Sequence, residues 1–132
     1  MAYSEIFKDH LENPRNAGEL SDATAVGEET NPICGDSIRL SLRLEEGRIA
    51  DVRFLAYGCA PTLACGSTLT ELLKGKTIAE ATALTRKDIV DAVGGLPARK
   101  QHAAALAIEV LRTALITNEK EALHEIISTS PK

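Results

Sequence analysis

Cys34-Gly35-Asp36 places a thiol and a carboxylate two residues apart across a glycine, and Gly35 can take the positive φ that turns both flanking side chains toward a common point. A second thiol, Cys59, follows Tyr57-Gly58, and His102 stands far downstream. Thiolate, carboxylate and imidazole are the groups with which proteins hold zinc and iron, and such ions favour four of them. The same residue types suit a thiol enzyme, with Cys59 or Cys34 as nucleophile, His102 as base and Asp36 to orient it. That reading ranks last, because two thiols beside an Asp and a His favour a cation over a dedicated triad, and no oxyanion-hole loop is recognisable. Taken singly, none of these signals is specific. Each cysteine reads equally well as an inert buried residue, and a lone helical histidine is more often solvated than a ligand. His10 and His124 have no cysteine nearby and read as solvated helix residues.

For these groups to meet, the chain between them must fold back on itself. Ile38, Leu40, Leu42 and Leu44 alternate with Ser37, Arg39, Ser41 and Arg43, which predicts a half-buried strand. Glu45-Glu46-Gly47-Arg48 supplies turn chemistry, and Ala50, Val52, Phe54 and Ala56 alternate again, so the two segments form an antiparallel hairpin. A hairpin returns the end of its second strand to the level where its first begins. Cys34 and Cys59 flank that shared end and become neighbours.

The remaining elements surround this hairpin. Ile6, Phe7 and Leu11 predict a short helix over residues 3–12 that Pro14 stops, and an edge strand is expected near residues 23–28. Pro61 opens a helix through Leu63, Leu69, Leu72 and Leu73 to a stop at Gly75. Thr77 with Glu80, and Thr85 with Asp88, carry capping-box spacing for two short helices. The last long helix starts near Pro97 or Arg99, runs to about Thr117 and buries Ala103, Leu106, Ala107, Val110, Leu111 and Leu115, with a weaker helix expected from Glu119. A helix packed across the sheet can present His102, in its first turn, to the same end. The predicted class is α+β, a small antiparallel sheet with helices packed on one face, in a single domain over 1–132.

Composition narrows the chemistry further. The 132 residues are 44% hydrophobic and 26% charged, the balance of a soluble globular protein. Aromatics are 3% with no Trp, and the net charge is -4, so neither a base-stacking platform nor a basic stripe for nucleic acid is present. No basic start followed by an apolar run opens the chain, and no stretch approaches a membrane span, so a cytoplasmic protein is expected. Three cysteines, an odd number without a regular framework, fit reduced thiols better than a disulfide scaffold.

Tyr3-Ser4, Glu12-Asn13-Pro14-Arg15-Asn16, Cys34-Gly35-Asp36, Tyr57-Gly58-Cys59, Lys74-Gly75-Lys76 and Leu96-Pro97 through His102 follow one another as the landmarks of the IscU/NifU-type iron-sulfur scaffold family do. The resemblance spans about residues 1–118, leaving 119–132 as a C-terminal tail. It implies an α+β unit, not an enzyme, that assembles a [2Fe-2S] cluster from iron and from sulfur supplied by a cysteine desulfurase, then passes it to acceptor proteins. It also implies that zinc can occupy the same site. By resemblance, Cys34, Asp36, Cys59 and His102 are the matching ligands. A hard carboxylate beside thiolates holds a soft iron-sulfur unit less firmly than a fourth thiolate, which suits a carrier.

The chain departs from the family at Ala103, where members carry a third cysteine after the histidine. That puts sulfur acceptance in question and leaves a metal-binding paralogue, regulatory in role, as the alternative. Cys65 then has two readings, a small buried helix residue or a substitute for the missing thiol facing the site. Leu96-Pro97-Ala98-Arg99-Lys100 stands where bacterial members carry a chaperone-recognition run and differs from it at Ala98 and Arg99, so recognition by an Hsp70-type chaperone is open. Lys100 reads as a surface charge or as an electrostatic aid to the thiolates.

Overall fold

The computed structural model describes residues 3–32 and 34–129, with side chains described through Thr117. Its centre is a three-stranded antiparallel sheet in the order β1-β2-β3, formed by Ala25–Thr30, Ser37–Glu45 and Arg48–Tyr57. Ile38, Leu40, Leu42, Val52 and Phe54 point to the core as the alternation predicts. Glu46 and Gly47, both with positive φ, make the two-residue turn whose twist matches the flanking strands.

One residue departs from the predicted alternation. Arg43 pairs with Asp51 and Leu44 with Ile49, so Ala50 is the extra residue of a β-bulge. Beyond a bulge the facing reverses, and Ile49 rather than Ala50 enters the core.

Helices cover the inner face. In chain order α1 is Glu5–Glu12, α2 Ala60–Leu73, α3 Ile78–Thr82, α4 Arg86–Ala92 and α5 His102–Thr129. Thr77 and Thr85 close the expected capping boxes with Glu80 and Asp88. Helix α5 lies across β1 and β2, and α2 lies on β3. The close approach of α5 depends on Gly27 of β1, where an added Cβ would stand 2.6 Å from the carbonyl oxygen of Val110.

Two boundaries and one side chain differ from expectation. A 3-10 turn at Ala98–Lys100 precedes α5, and α5 continues to Thr129 as one helix, because no Gly or Pro interrupts good helix formers such as Glu119 and Leu123. His10 is 4% exposed, not solvated, while Ile6 and Leu11 face outward. It packs with Phe7 against the small polar side of α2, where its Nδ1 lies 2.7 Å from Ser67 Oγ and its Nε2 3.1 Å from Glu71. His124 lies beyond the described side chains.

The outer sheet face is crossed by residues 16–24. Gly18 N–H donates to the Phe54 carbonyl, Arg39 pairs with Glu19 and Glu28, and Arg43 pairs with Asp22.

Candidate metal centre

Ser37 pairs with Tyr57 across β2 and β3, so the residues just before β2 and just after β3 meet, as the hairpin requires. Gly35 has φ 78°, and the loop ahead of β2 is closed by Asn31 N–H on the Asp36 carbonyl and Gly35 N–H on the Asn31 carbonyl. This loop leaves Cys34 exposed and drives Asp36 inward to 5% exposure. Cys59 is the N-cap of α2. The positive end of the α2 dipole favours the net negative charge of a thiolate and carboxylate site.

Asp36 is the centre of the arrangement. Its Oδ2 accepts from the Cys59 thiol at 3.1 Å and the Thr62 hydroxyl at 2.8 Å, and its Oδ1 accepts from the Cys59 backbone N–H at 3.3 Å. Burial would raise the carboxyl, but hydrogen bonds from Cys59, Thr62 and Cys34 outweigh it and hold Asp36 below its ordinary value. Gly58, at φ 137°, packs its backbone so closely that any Cβ there would collide with the Asp36 carboxylate.

His102 opens α5 from the opposite side. Its Nδ1 lies 3.2 Å from the Arg99 carbonyl, and donation there leaves Nε2 as the free nitrogen, 3.8 Å from Asp36 Oδ2. A hydrogen bond from one ring nitrogen to a backbone carbonyl fixes the tautomer of metal-binding histidines. Donor atoms of Cys34, Asp36 and His102 all lie within 4.8 Å of one another. Oxygen and nitrogen ligands of one tetrahedral ion stand about 3.3–3.5 Å apart, so small side-chain shifts would close these three on a cation. Cys59 is outside that mutual group and joins the site through Asp36. Beside His102 a polar cleft of about 260 Å³ opens between Thr30, Asn31, Pro32 and Glu109.

The Cys59 thiol is not arranged as a nucleophile beside a histidine base. The Cys59 thiol contacts Asp36 and Thr62, and among the described residues no hydrogen bond joins it to His102. Cys65 is fully buried, in one core cluster with Leu69 and Phe54, and is not a member of the Cys34, Asp36 and His102 donor group. Burial, aided by the nearby Cys59, pushes its thiol up to about 12. Ala103 is also fully buried. Lys100 is half-buried in the turn before His102 and forms no ion pair among the described residues.

Sequence reasoning passed over Thr62 and the Gly58 cradle. The signal for Thr62 is its place three residues after the N-cap Cys59, where a polar side chain can turn back over the helix entrance.

The model of the NifU-like N terminal domain matches residues 2–124. The iron-sulfur cluster assembly scaffold protein IscU 1 of Archaeoglobus fulgidus is 44% identical over 114 residues, covering 86% of this chain and 74% of the relative. The iron-sulfur cluster assembly scaffold protein IscU of Escherichia coli is 40% identical over 119 residues, covering 87% and 92%. Among solved structures, a SUF-system protein from Fervidobacterium islandicum superposes with a TM-score of 0.72 at 25% identity, covering 86% of this chain and 96% of that one. The N-terminal part of a NifU-like protein from Brucella abortus gives 0.70 at 15% identity over 89% and 94%, which bears on the fold alone. Matched by the domain model over residues 2–124 and by relatives of 40–44% identity over most of its length, the chain belongs to the NifU-like N-terminal domain family.

Proposed function

We propose that the chain, as one scaffold unit over 1–132, receives iron and sulfur as its cargo, holds them as a [2Fe-2S] cluster and hands it to acceptor proteins. The observation that carries this reading is the convergence of Cys34, Asp36 and His102 donors within 4.8 Å, with Cys59 held against Asp36. Relatives named as cluster assembly scaffolds support it. The proposed ligands are Cys34, Asp36, Cys59 and His102, and zinc fits the same S, O and N donors. The sulfur donor proposed is a cysteine desulfurase. No catalytic turnover is assigned to the chain, and no helix among the described residues is long and apolar enough to cross a membrane.

The chain's own groups prepare the site. Each thiol that binds iron gives its proton to solvent, and Asp36 then exchanges thiol hydrogen bonds for the cation. His102 offers Nε2, the ring nitrogen turned away from the Arg99 carbonyl. Asp36 supplies the hard ligand that lets the cargo leave.

Anaerobic reconstitution with ferrous iron and sulfide tests this. The wild type is expected to turn brown with thiolate-to-iron absorbance, and Cys34→Ala and Cys59→Ala are each expected to lose stoichiometric iron and zinc. Full retention of metal in both variants would sink the site. Zinc binding without any reconstituted cluster would instead leave a metal-binding protein that assembles nothing.

A further inference from the structure

We propose that Thr62 is a positioning residue of the metal centre, fixing through its hydroxyl which lone pair Asp36 offers to the cation. The inference rests on the reading of Cys34, Asp36, Cys59 and His102 as the metal site. Thr62 is fully buried and occupies the third position of α2. Buried threonines in a helix usually satisfy their hydroxyl on a carbonyl of the preceding turn. Helix α2 supplies its own comparison, since Thr68 donates to the Ala64 carbonyl and Thr70 to the Ser67 carbonyl. Thr62 instead sends its hydrogen out of the helix to Asp36 Oδ2 at 2.8 Å.

The consequence appears when a cation enters. Thiol hydrogens on Asp36 leave as the thiols become ligands, which removes the Cys59 contact to Oδ2. The hydrogen bond from Thr62 to Oδ2 and that from the Cys59 backbone N–H to Oδ1 remain, because neither group ionises. With one lone pair of Oδ2 occupied by Thr62, the other is left for the cation, and His102 Nε2 lies 3.8 Å from that oxygen. The Thr62 hydroxyl also lies 3.4 Å from Cys59 Sγ, so one side chain touches two proposed ligands. Partners of metal ligands typically change affinity by about 10–100-fold when removed.

The test uses the full chain, with zinc affinity from chelator competition and the visible spectrum of the cobalt-loaded protein. Thr62→Val preserves shape and removes the hydroxyl. It is expected to weaken zinc binding by about 10–100-fold and to shift the cobalt ligand-field bands, while Thr62→Ser restores both. In an Asp36→Ala background, Thr62→Val is expected to cost no further affinity. Should Thr62→Val lose its helical circular dichroism, Thr62→Ala takes its place in the same comparison. Wild-type affinity and an unchanged cobalt spectrum in the folded variant would overturn the proposal, as would an equal loss with Asp36 absent. A wild type that binds neither zinc nor cobalt would remove the underlying site assignment as well, and is distinguishable because no variant enters into it.

Discussion

At the scale of single residues, the cysteines divide by environment. Cys34 is exposed on the loop before β2, Cys59 is half-buried on Asp36, and Cys65 is sealed in the core with its thiol pushed up to about 12. Thiolates, not thiols, attack alkylating agents, so both access and ionisation deny reaction to Cys65. Brief treatment of the metal-free protein with iodoacetamide at mildly alkaline pH is expected to label Cys34 and spare Cys65 until the protein is unfolded. Peptide mass spectrometry finding Cys65 modified in the folded protein would contradict this placement. The same burial favours the reading of Cys65 as a core residue, and within the proposed function sulfur acceptance is assigned to Cys34 or Cys59.

At the scale of elements, two contacts hold the scaffold around the site. The first joins α1 to α2 through His10. Ser67 Oγ accepts the Arg15 N–H at 2.8 Å and can donate to His10 Nδ1, leaving the ring's hydrogen on Nε2 for Glu71. Proximity to Glu71 suggests an ion pair, but burial, reinforced by the Arg15 charge, outweighs the pull of Glu71 and Asp9 and lowers the His10 pKa. The hydrogen-bond pattern agrees with the neutral ring. Since the folded value lies below the unfolded value of about 6.5, the unfolded chain binds more protons as pH falls. The stability linked to His10 is therefore fully present above that unfolded value and is lost as pH drops through the folded one. Urea unfolding of the metal-free protein at pH 7.5 and 5.5 (about one unit either side of the unfolded pKa) is expected to show this loss, and His10→Gln to reduce it. An unreduced pH slope in His10→Gln would exclude His10 as its source.

The second contact is the approach of α5 to β1. A methyl group at Gly27 would press on the carbonyl of Val110 and the N–H of Ala114, both backbone atoms that no rotamer change can clear. Gly27→Ala is expected to cost about 1–3 kcal/mol in chemical denaturation, the range for overpacking a close-fitted interior. A cost near zero would mean that α5 shifts freely along the sheet.

At the scale of the whole molecule, the proposed ligands come from three places: the loop before β2, the junction of β3 with α2, and the start of α5. A cation held by all of them ties the sheet to both large helices, and binding to the folded state alone stabilises it by mass action. Zinc at a hundred times its Kd is expected to add about 2.7 kcal/mol and to raise the melting temperature by several degrees, reversed by chelator. Unchanged melting on saturation with zinc would show that metal binds the unfolded chain equally well. The ion pairs of Arg39 and Arg43 on the outer face join half-buried arginines to exposed carboxylates, and pairs open to solvent contribute little to stability.

Local pattern determined most of the scaffold. Period-two alternation set the facing of β2 and β3, the Glu46-Gly47 turn paired Glu45 with Arg48, and the pairing of Ser37 with Tyr57 beyond the bulge brings Asp36 beside Cys59. Capping spacing likewise placed α3 and α4, because the hydrogen bonds of a helix start are made within four residues. Tertiary packing decided what local pattern left open. Whether Cys65 faced the site or the core depended on how α2 is rotated against β3, and the inward turn of His10 depended on a small polar surface that another helix supplies. The bulge at Ala50 and the 3-10 entry to α5 arise where strands and helices must fit together, a constraint that no single segment carries. Thr62 belongs to the same group: its hydroxyl finds Asp36 across 26 residues of chain, a contact that exists only once the hairpin and α2 have met.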